Sequence, residues 1–455
     1  MRHLALHIFR TFTLLCALPL YSFAQSSQPA PQSPPAALAP GLLPSDPANY
    51  TWLHPKGQTS RRGTTIPLPI SKSELQAFKL LLNLSEEQFT QMTRIHQTYM
   101  DANFDLRKVD EAELIDLASR GMENYRSQES ADAGVAMLHA QDRLLRKLAL
   151  LDAQFFDQLA PLLTESQLAD LPRAQSYRKR IIASEWHCQH TAGKPDLEVM
   201  IFDLLQQSPN PAADFATVSD LLRRYETRAT PLWERYTRVM DEARLRSIQT
   251  LPYTSGVASS SSLTPAQWAA IDKQRLDDNK DLLSIGINRH KLNTEFLPQL
   301  VSALPESLGN SLRTTFNEQA YPPVYPNPFD CTDQLAVLEK LEPPLSAETR
   351  FATDSIVEKY RADLALIDRD MIRRYLDFWE DYLTERSFDT SKQNVYKADM
   401  DILQKRRRDL SDRTLKSVAS ILAGTQLDTF NNYIQPWYAS ADRHHPQNHG
   451  IYYVP

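Results

Sequence analysis

Trp186-His187-Cys188-Gln189-His190 is the densest cluster of potential metal ligands in this sequence. Two imidazoles and a thiolate within four residues suit a soft or borderline cation. A structural zinc site takes a fourth ligand at definite spacing, and none follows here. His187, Cys188 and His190 therefore make a candidate metal site with an incomplete ligand set. His444, His445 and His449 form a second group, in a Pro-, Asn- and Gly-containing stretch that reads as a polar tail. Cys188 also has a competing use. Cys16 lies in the N-terminal leader, which leaves Cys188 and Cys331 as candidates for a disulfide in an oxidising compartment. Such a bridge would remove the thiolate from the metal site, and the sequence leaves both alternatives open.

Other signs of chemistry are sparse. The chain has no Gly-rich phosphate loop, G-x-S-x-G, H-E-x-x-H or calcium-loop motif. Acidic stretches such as Asp368-Arg369-Asp370 and Glu380-Asp381 have Arg or Lys at helical spacing, as ordinary exposed ion pairs do. The expectation is a protein that is not an enzyme and needs no cofactor. A formal charge of −6 argues against nucleic acid and anionic membranes as partners. The run Lys405-Arg406-Arg407-Arg408 is flanked by Asp399, Asp401, Asp409 and Asp412, which makes it a mixed-charge helix face.

The elements that must position these groups begin after residue 70. Residues 1–24 have the form of a signal peptide: Arg2, an apolar stretch from Thr11 to Leu20, and the small-x-small site Ser22-Phe23-Ala24. Cleavage after Ala24 removes Arg2 and Arg10 and no acid, so the charge becomes more negative by two. No other apolar run is long enough for stable membrane insertion, and a periplasmic or extracellular location is expected. Residues 25–70 are rich in Pro and Ser without apolar periodicity, which predicts a disordered linker.

Beyond it the chain repeats itself. Leu151 to Ser166 aligns without gaps on Leu292 to Ser307 with seven of sixteen positions identical, where roughly one is expected by composition. A third copy keeps the spacing only, as Leu410, Thr414, Val418, Leu422 and Gln426. Leu84-Ser85…Ile95…Tyr99 and Leu345-Ser346…Ile356…Tyr360 share one spacing upstream. Apolar residues from Ile356 to Tyr382 step by three and four, the signature of shallow antiparallel helix packing. The prediction is an elongated all-α protein of three tandem diverged antiparallel helical hairpins, over 71–190, 196–329 and 335–440, with a polar tail over 441–455.

Leu163-Thr164-Glu165-Ser166-Gln167 and Leu263-Thr264-Pro265-Ala266-Gln267 fit L-T-x-x-Q, and Leu84-Ser85-Glu86-Glu87-Gln88 comes close. Physically this is a capping box, Ser or Thr at the N-cap with Gln three residues on, with a hydrophobic staple beside it. In these motifs the chain resembles the Spy/CpxP-like family of exported helical proteins. That resemblance implies an all-helical envelope-stress protein, an ATP-independent chaperone or a regulator of a sensor kinase. The chain departs from that family in its three units and its acidic charge. The functional expectation is an exported protein-binding or adaptor protein, whose partner is a folded protein or an unfolded client. A structural envelope spacer and a metal-responsive periplasmic protein are the alternatives. Large aromatics, Phe104, Trp233, Trp379 and Tyr382, are the candidate partner-binding residues, with burial inside the hairpin seams as the competing reading.

Overall fold

The computed structural model describes residues 66–123, 128–185, 191–254, 264–384 and 390–443. Among these residues the fold is all helical, with twelve α-helices and no strand. The helices come in three successive runs of four. In the first, α1 (Lys72–Leu81) leads into α2 (Glu86–Glu123), α3 (Gln128–Leu159) and α4 (Glu165–Glu185). In the second, α5 (Leu197–Leu205) precedes α6 (Pro211–Thr254), α7 (Pro265–Ala303) and α8 (Glu306–Ala320). The third opens with α9 (Thr332–Ala336) and a 3-10 turn (Val337–Lys340). It continues with α10 (Ala347–Thr384), α11 (Thr390–Ala419) and α12 (Gly424–Arg443). Each run is therefore a short helix, two long ones and a fourth.

The breaks follow from local chemistry. α1 starts at a complete capping box, with the Ser71 hydroxyl accepting from the Glu74 N–H and the Glu74 carboxylate accepting from the Ser71 N–H. It ends beside Asn83, whose φ of 47° is the left-handed conformation that Asn tolerates. Thr164 caps α4 and Thr264 caps α7 in the same way, each through the Gln three residues on. These caps end what the apolar spacing alone would carry on as one helix: Leu163, just before Thr164, is extended at φ −92°, ψ 145°.

The chain divides into two compact units. The first comprises Met1–His187, Asp196–Asp278 and Pro298–Gly309; the second comprises Cys188–Pro195, Asn279–Leu297 and Asn310–Pro455. The second run of helices is thus shared between the units.

In the first unit α2 and α3 run antiparallel. Tyr99 meets Asp152 near one end of the pair, and Asp110 meets Lys147 and Glu113 meets Arg143 progressively toward the other. α1, α4 and α5 close one end over an aromatic cluster. There Phe78 lies 5.4 Å from Phe156 and 6.1 Å from Tyr177, and Tyr177 lies 5.2 Å from Phe202, all edge-on. Truncating a ring buried like Phe155 to Ala would cost roughly 3–5 kcal/mol. α6 lies against α3 and α4, fastened by a bidentate Arg173–Glu226 pair at 2.6 and 2.5 Å.

In the second unit α10 and α11 are likewise antiparallel, with Phe378 stacked on Tyr396 at 4.6 Å and Arg407 held on Asp368 at 2.8 Å. Leu410, Leu415, Val418 and Leu422 meet Phe430, Ile434 and Trp437 of α12 in one core with Phe329, Leu335 and Tyr360. The segment before Asp196 approaches α7 backbone to backbone, and a Cβ on Gly193 would collide with the Gly286 carbonyl. Glycine is required at that crossing.

Ile66–Ile70 depart from the linker expectation. Pro67, Pro69 and Ile70 are buried, and Ile66 packs on the cluster of Leu114, Leu117, Leu144 and Leu148. This stretch has no helical or strand periodicity because its side chains alternate with prolines, yet it is part of the first unit. Residues 1–65, including the expected signal peptide, lie outside the described residues.

Candidate functional site

His187, Cys188 and His190 lie outside the described residues, and so does one partner of the Cys188–Cys331 bridge expected from the sequence. Among the described residues, no group of three or more His, Cys, Asp or Glu is placed to hold a metal ion. Cys331 itself carries a free thiol and is fully buried. Burial pushes that thiol up to about 11, away from reactivity.

The aromatic candidates go mostly into the seams. Trp233 and Trp379 are each 3% exposed. Trp233 stands edge-on to Tyr236 at 6.0 Å, and Trp379 to Tyr375 at 6.3 Å. Neither belongs to an open binding surface: both are packed inside the seams, the competing reading of the sequence. Phe104 is half-buried, and the side chain of Tyr382 lies outside those described.

What the structure does assemble is a set of buried polar grips on the segments that lead into each run of helices. The Tyr99 hydroxyl accepts from the Ile70 N–H at 3.1 Å, the Tyr225 hydroxyl from the Leu197 N–H at 3.3 Å, and the Tyr360 hydroxyl from the Cys331 N–H at 3.1 Å. The separations are 29, 28 and 29 residues. One tyrosine near the start of the first long helix thus anchors the same point of each lead segment.

A polar residue directly after each aligned Leu makes a buried bond of its own. Asp152 accepts from Tyr99 at 2.7 Å, Asn293 donates to the Pro195 carbonyl at 2.8 Å, and Ser411 donates to the Phe329 carbonyl at 2.6 Å. These three positions follow Leu151, Leu292 and Leu410, the residues on which the internal alignment rests. An Arg four residues before two of them also reaches a lead-segment carbonyl: Arg289 to Lys194 at 2.9 Å and Arg407 to Val324 at 2.7 Å.

The first run carries the densest charge. Arg178 is bound by Asp152 at 2.8 Å, Glu74 at 2.9 Å and the Leu68 carbonyl at 2.6 Å. Burial alone would favour a neutral Arg178, but Glu74 and Asp152 hold its proton more firmly than usual. Burial, then the Asp152 charge, raises the Tyr99 phenol well above its ordinary range. His96 is lowered by burial and contacts the Ile70 carbonyl at 2.6 Å through Nε2. A carbonyl only accepts, so the hydrogen of this neutral ring sits on Nε2. Two residues along α4, Arg180 is enclosed by Asp196, at 3.2 Å, and Glu198. Both Arg side chains hold α4 to its neighbours; no reacting group is exposed at either.

The Leu-Ser/Thr-x-x-Gln segments do more than cap helices. Gln88 donates to the Leu162 carbonyl at 2.8 Å, and Gln167 donates to the Asn83 carbonyl at 2.9 Å. Each amide thus reaches from its own capping box into the turn before the other. In the third run Gln426 repeats half of this arrangement, donating to the Pro343 carbonyl at 2.8 Å. The sequence contained the motif but not this pairing, which joins residues 79 positions apart. Tyr99 and Tyr360 stood out in the sequence only as repeat positions, and their anchoring role was missed, as were Tyr225, Arg107 and Arg178; the shared Leu-Ser…Ile…Tyr spacing was the available signal for the two tyrosines.

No family model matches the chain, and no curated protein or solved structure matches it.

Proposed function

We propose that this chain is an exported, protein-binding scaffold made of three diverged copies of one four-helix unit. The repeated Tyr grips and the polar residues after Leu151, Leu292 and Leu410 support common descent of the three units. The leader at residues 1–24 supports export. The scaffold acts as an adaptor, holding a partner along a helix face.

One observation carries this reading. Val395, Ala398 and Ile402 are exposed on α11 at the i, i+3, i+7 spacing of a helix-packing seam. Val395 and Ile402 are 58% and 53% exposed, while the opposite face of α11 already packs in the core through Met400, Leu403 and Arg407. An apolar stripe of this spacing suits a partner helix. The paired Gln88 and Gln167 capping boxes support a second, related reading, an envelope-stress chaperone of the family that the Leu-Thr-x-x-Gln motifs resemble; its client would be an unfolded chain.

The test is photo-crosslinking in the producing cell from probes placed at Val395 and Ile402, with Glu87, exposed at the start of α2, as a control away from the stripe. A discrete adduct from the two apolar positions and none from Glu87 supports the adaptor reading. No adduct from either apolar position in correctly folded protein rejects it. Suppression of client aggregation at near-stoichiometric ratio without a discrete adduct would favour the chaperone reading.

A further inference from the structure

We propose that the channel holding Ile66–Ile70 in the first unit is a binding site for extended, proline-containing peptide segments, which this stretch of the chain occupies as an internal ligand. The inference deepens the protein-binding reading, on which it rests for a biological partner, by naming a ligand class. It concerns residues remote in sequence from the α11 stripe, so the two can fail separately.

The channel recognises main chain. Arg107 donates to the Pro67 carbonyl, Arg178 to the Leu68 carbonyl at 2.6 Å, and His96 to the Ile70 carbonyl at 2.6 Å. The Tyr99 hydroxyl takes the Ile70 N–H at 3.1 Å. Four side chains from α2 and α4 thus read four backbone groups within four residues, and three of those groups are carbonyls. Arg107, Tyr99, His96 and Arg178 are all buried. Three of them are oriented by further contacts: Arg107 by Asn103 and Glu111, Tyr99 by Asp152, and Arg178 by Glu74 and Asp152.

Donors of this kind do not distinguish side chains, so specificity comes from what must be buried. Pro67 and Pro69 have no N–H, so neither brings a backbone donor that the channel must satisfy. Ile66 and Ile70 fill apolar space, and the Leu68 side chain faces solvent. The ligand is therefore an apolar-Pro-x-Pro-apolar segment in extended conformation.

The full chain is used for the test. Replacing Ile66 and Ile70 together with Asp displaces the internal segment while leaving every donor in place. The probe is a fluorescent synthetic peptide with the sequence of residues 64–71. The double variant should bind it at least tenfold more tightly than the unaltered chain, in which the internal segment competes. Adding Arg107→Ala should weaken binding tenfold or more, and a peptide with both prolines replaced by Ala should bind comparably worse. If the double variant loses helicity, the peptide added in trans should restore it. A doubled mass of the unaltered chain at high concentration, abolished by the peptide, also supports the site and identifies a second copy as a source of ligand. A folded double variant that takes up no peptide overturns the proposal, as does an unfolded one that the peptide does not rescue.

Discussion

The side-chain amides of Gln88 and Gln167 hydrogen-bond to each other, at 2.8 Å in one direction and 3.1 Å in the other. Each also accepts the N–H of its own N-cap residue, Ser85 at 3.0 Å and Thr164 at 2.9 Å. The starts of α2 and α4 are thereby locked as a pair.

That pairing predicts coupling. Gln88→Leu and Gln167→Leu should each destabilise the protein by about 1–2 kcal/mol. The double variant should cost less than the sum, by about 0.5 kcal/mol or more, because the second change removes a bond already broken. Urea unfolding followed by circular dichroism measures all three. Strict additivity would mean that the two boxes act independently.

The Arg178 cluster predicts a steeper loss. Asp152→Ala leaves a buried guanidinium with one fewer carboxylate and the Tyr99 hydroxyl without its acceptor, at a cost of roughly 3–5 kcal/mol. Asp152→Asn should be milder, since Asn293 occupies the corresponding position of the second run and bonds a lead-segment carbonyl there. Equal losses for the two variants would refute the role assigned to the acceptor oxygen.

Cys331 should be inert. With its thiol pushed up to about 11 and no exposed surface, alkylation at pH 8 should be slow in the native protein and fast in urea. Rapid native labelling would contradict the burial of this side chain.

His290 predicts acid sensitivity. Burial, with a smaller contribution from Lys291, lowers it to about 4 from 6.5, and its Nε2 lies 2.7 Å from the Tyr321 hydroxyl. Between pH 6.5 and 4 the unfolded chain binds the proton and the folded one does not, so stability falls as the pH falls through that window. His290→Gln should flatten this part of the stability profile. An unchanged slope would assign the acid sensitivity elsewhere.

Much of the fold was legible because helix packing writes a period into the sequence. The steps from Ile356 to Tyr382 mark a seam, and Tyr360, Met371 and Tyr375 are buried as that period requires. The capping boxes at Ser85, Thr164 and Thr264 placed helix starts for the same local reason. The lead segments were not legible. Ile66-Pro67-Leu68-Pro69-Ile70 resembles a spacer in composition, and what fixes it is a set of hydrogen bonds from Arg107, Arg178 and His96, distant in sequence. Trp233 and Trp379 follow the competing reading, burial inside the seams, which residue type alone does not separate from a binding patch. The free thiol of Cys331 depends on three-dimensional placement, which spacing does not contain.

The central claim, that an exposed stripe on α11 binds a protein partner, is tested most directly by charging that stripe. Exposed positions tolerate substitution within about 0.5 kcal/mol, so Val395→Asp with Ile402→Asp should leave the urea midpoint nearly unchanged. A partner identified by crosslinking at these positions should bind the purified unaltered chain and lose at least tenfold in affinity for the double variant. A double variant that is equally stable and binds that partner undiminished would contradict the claim.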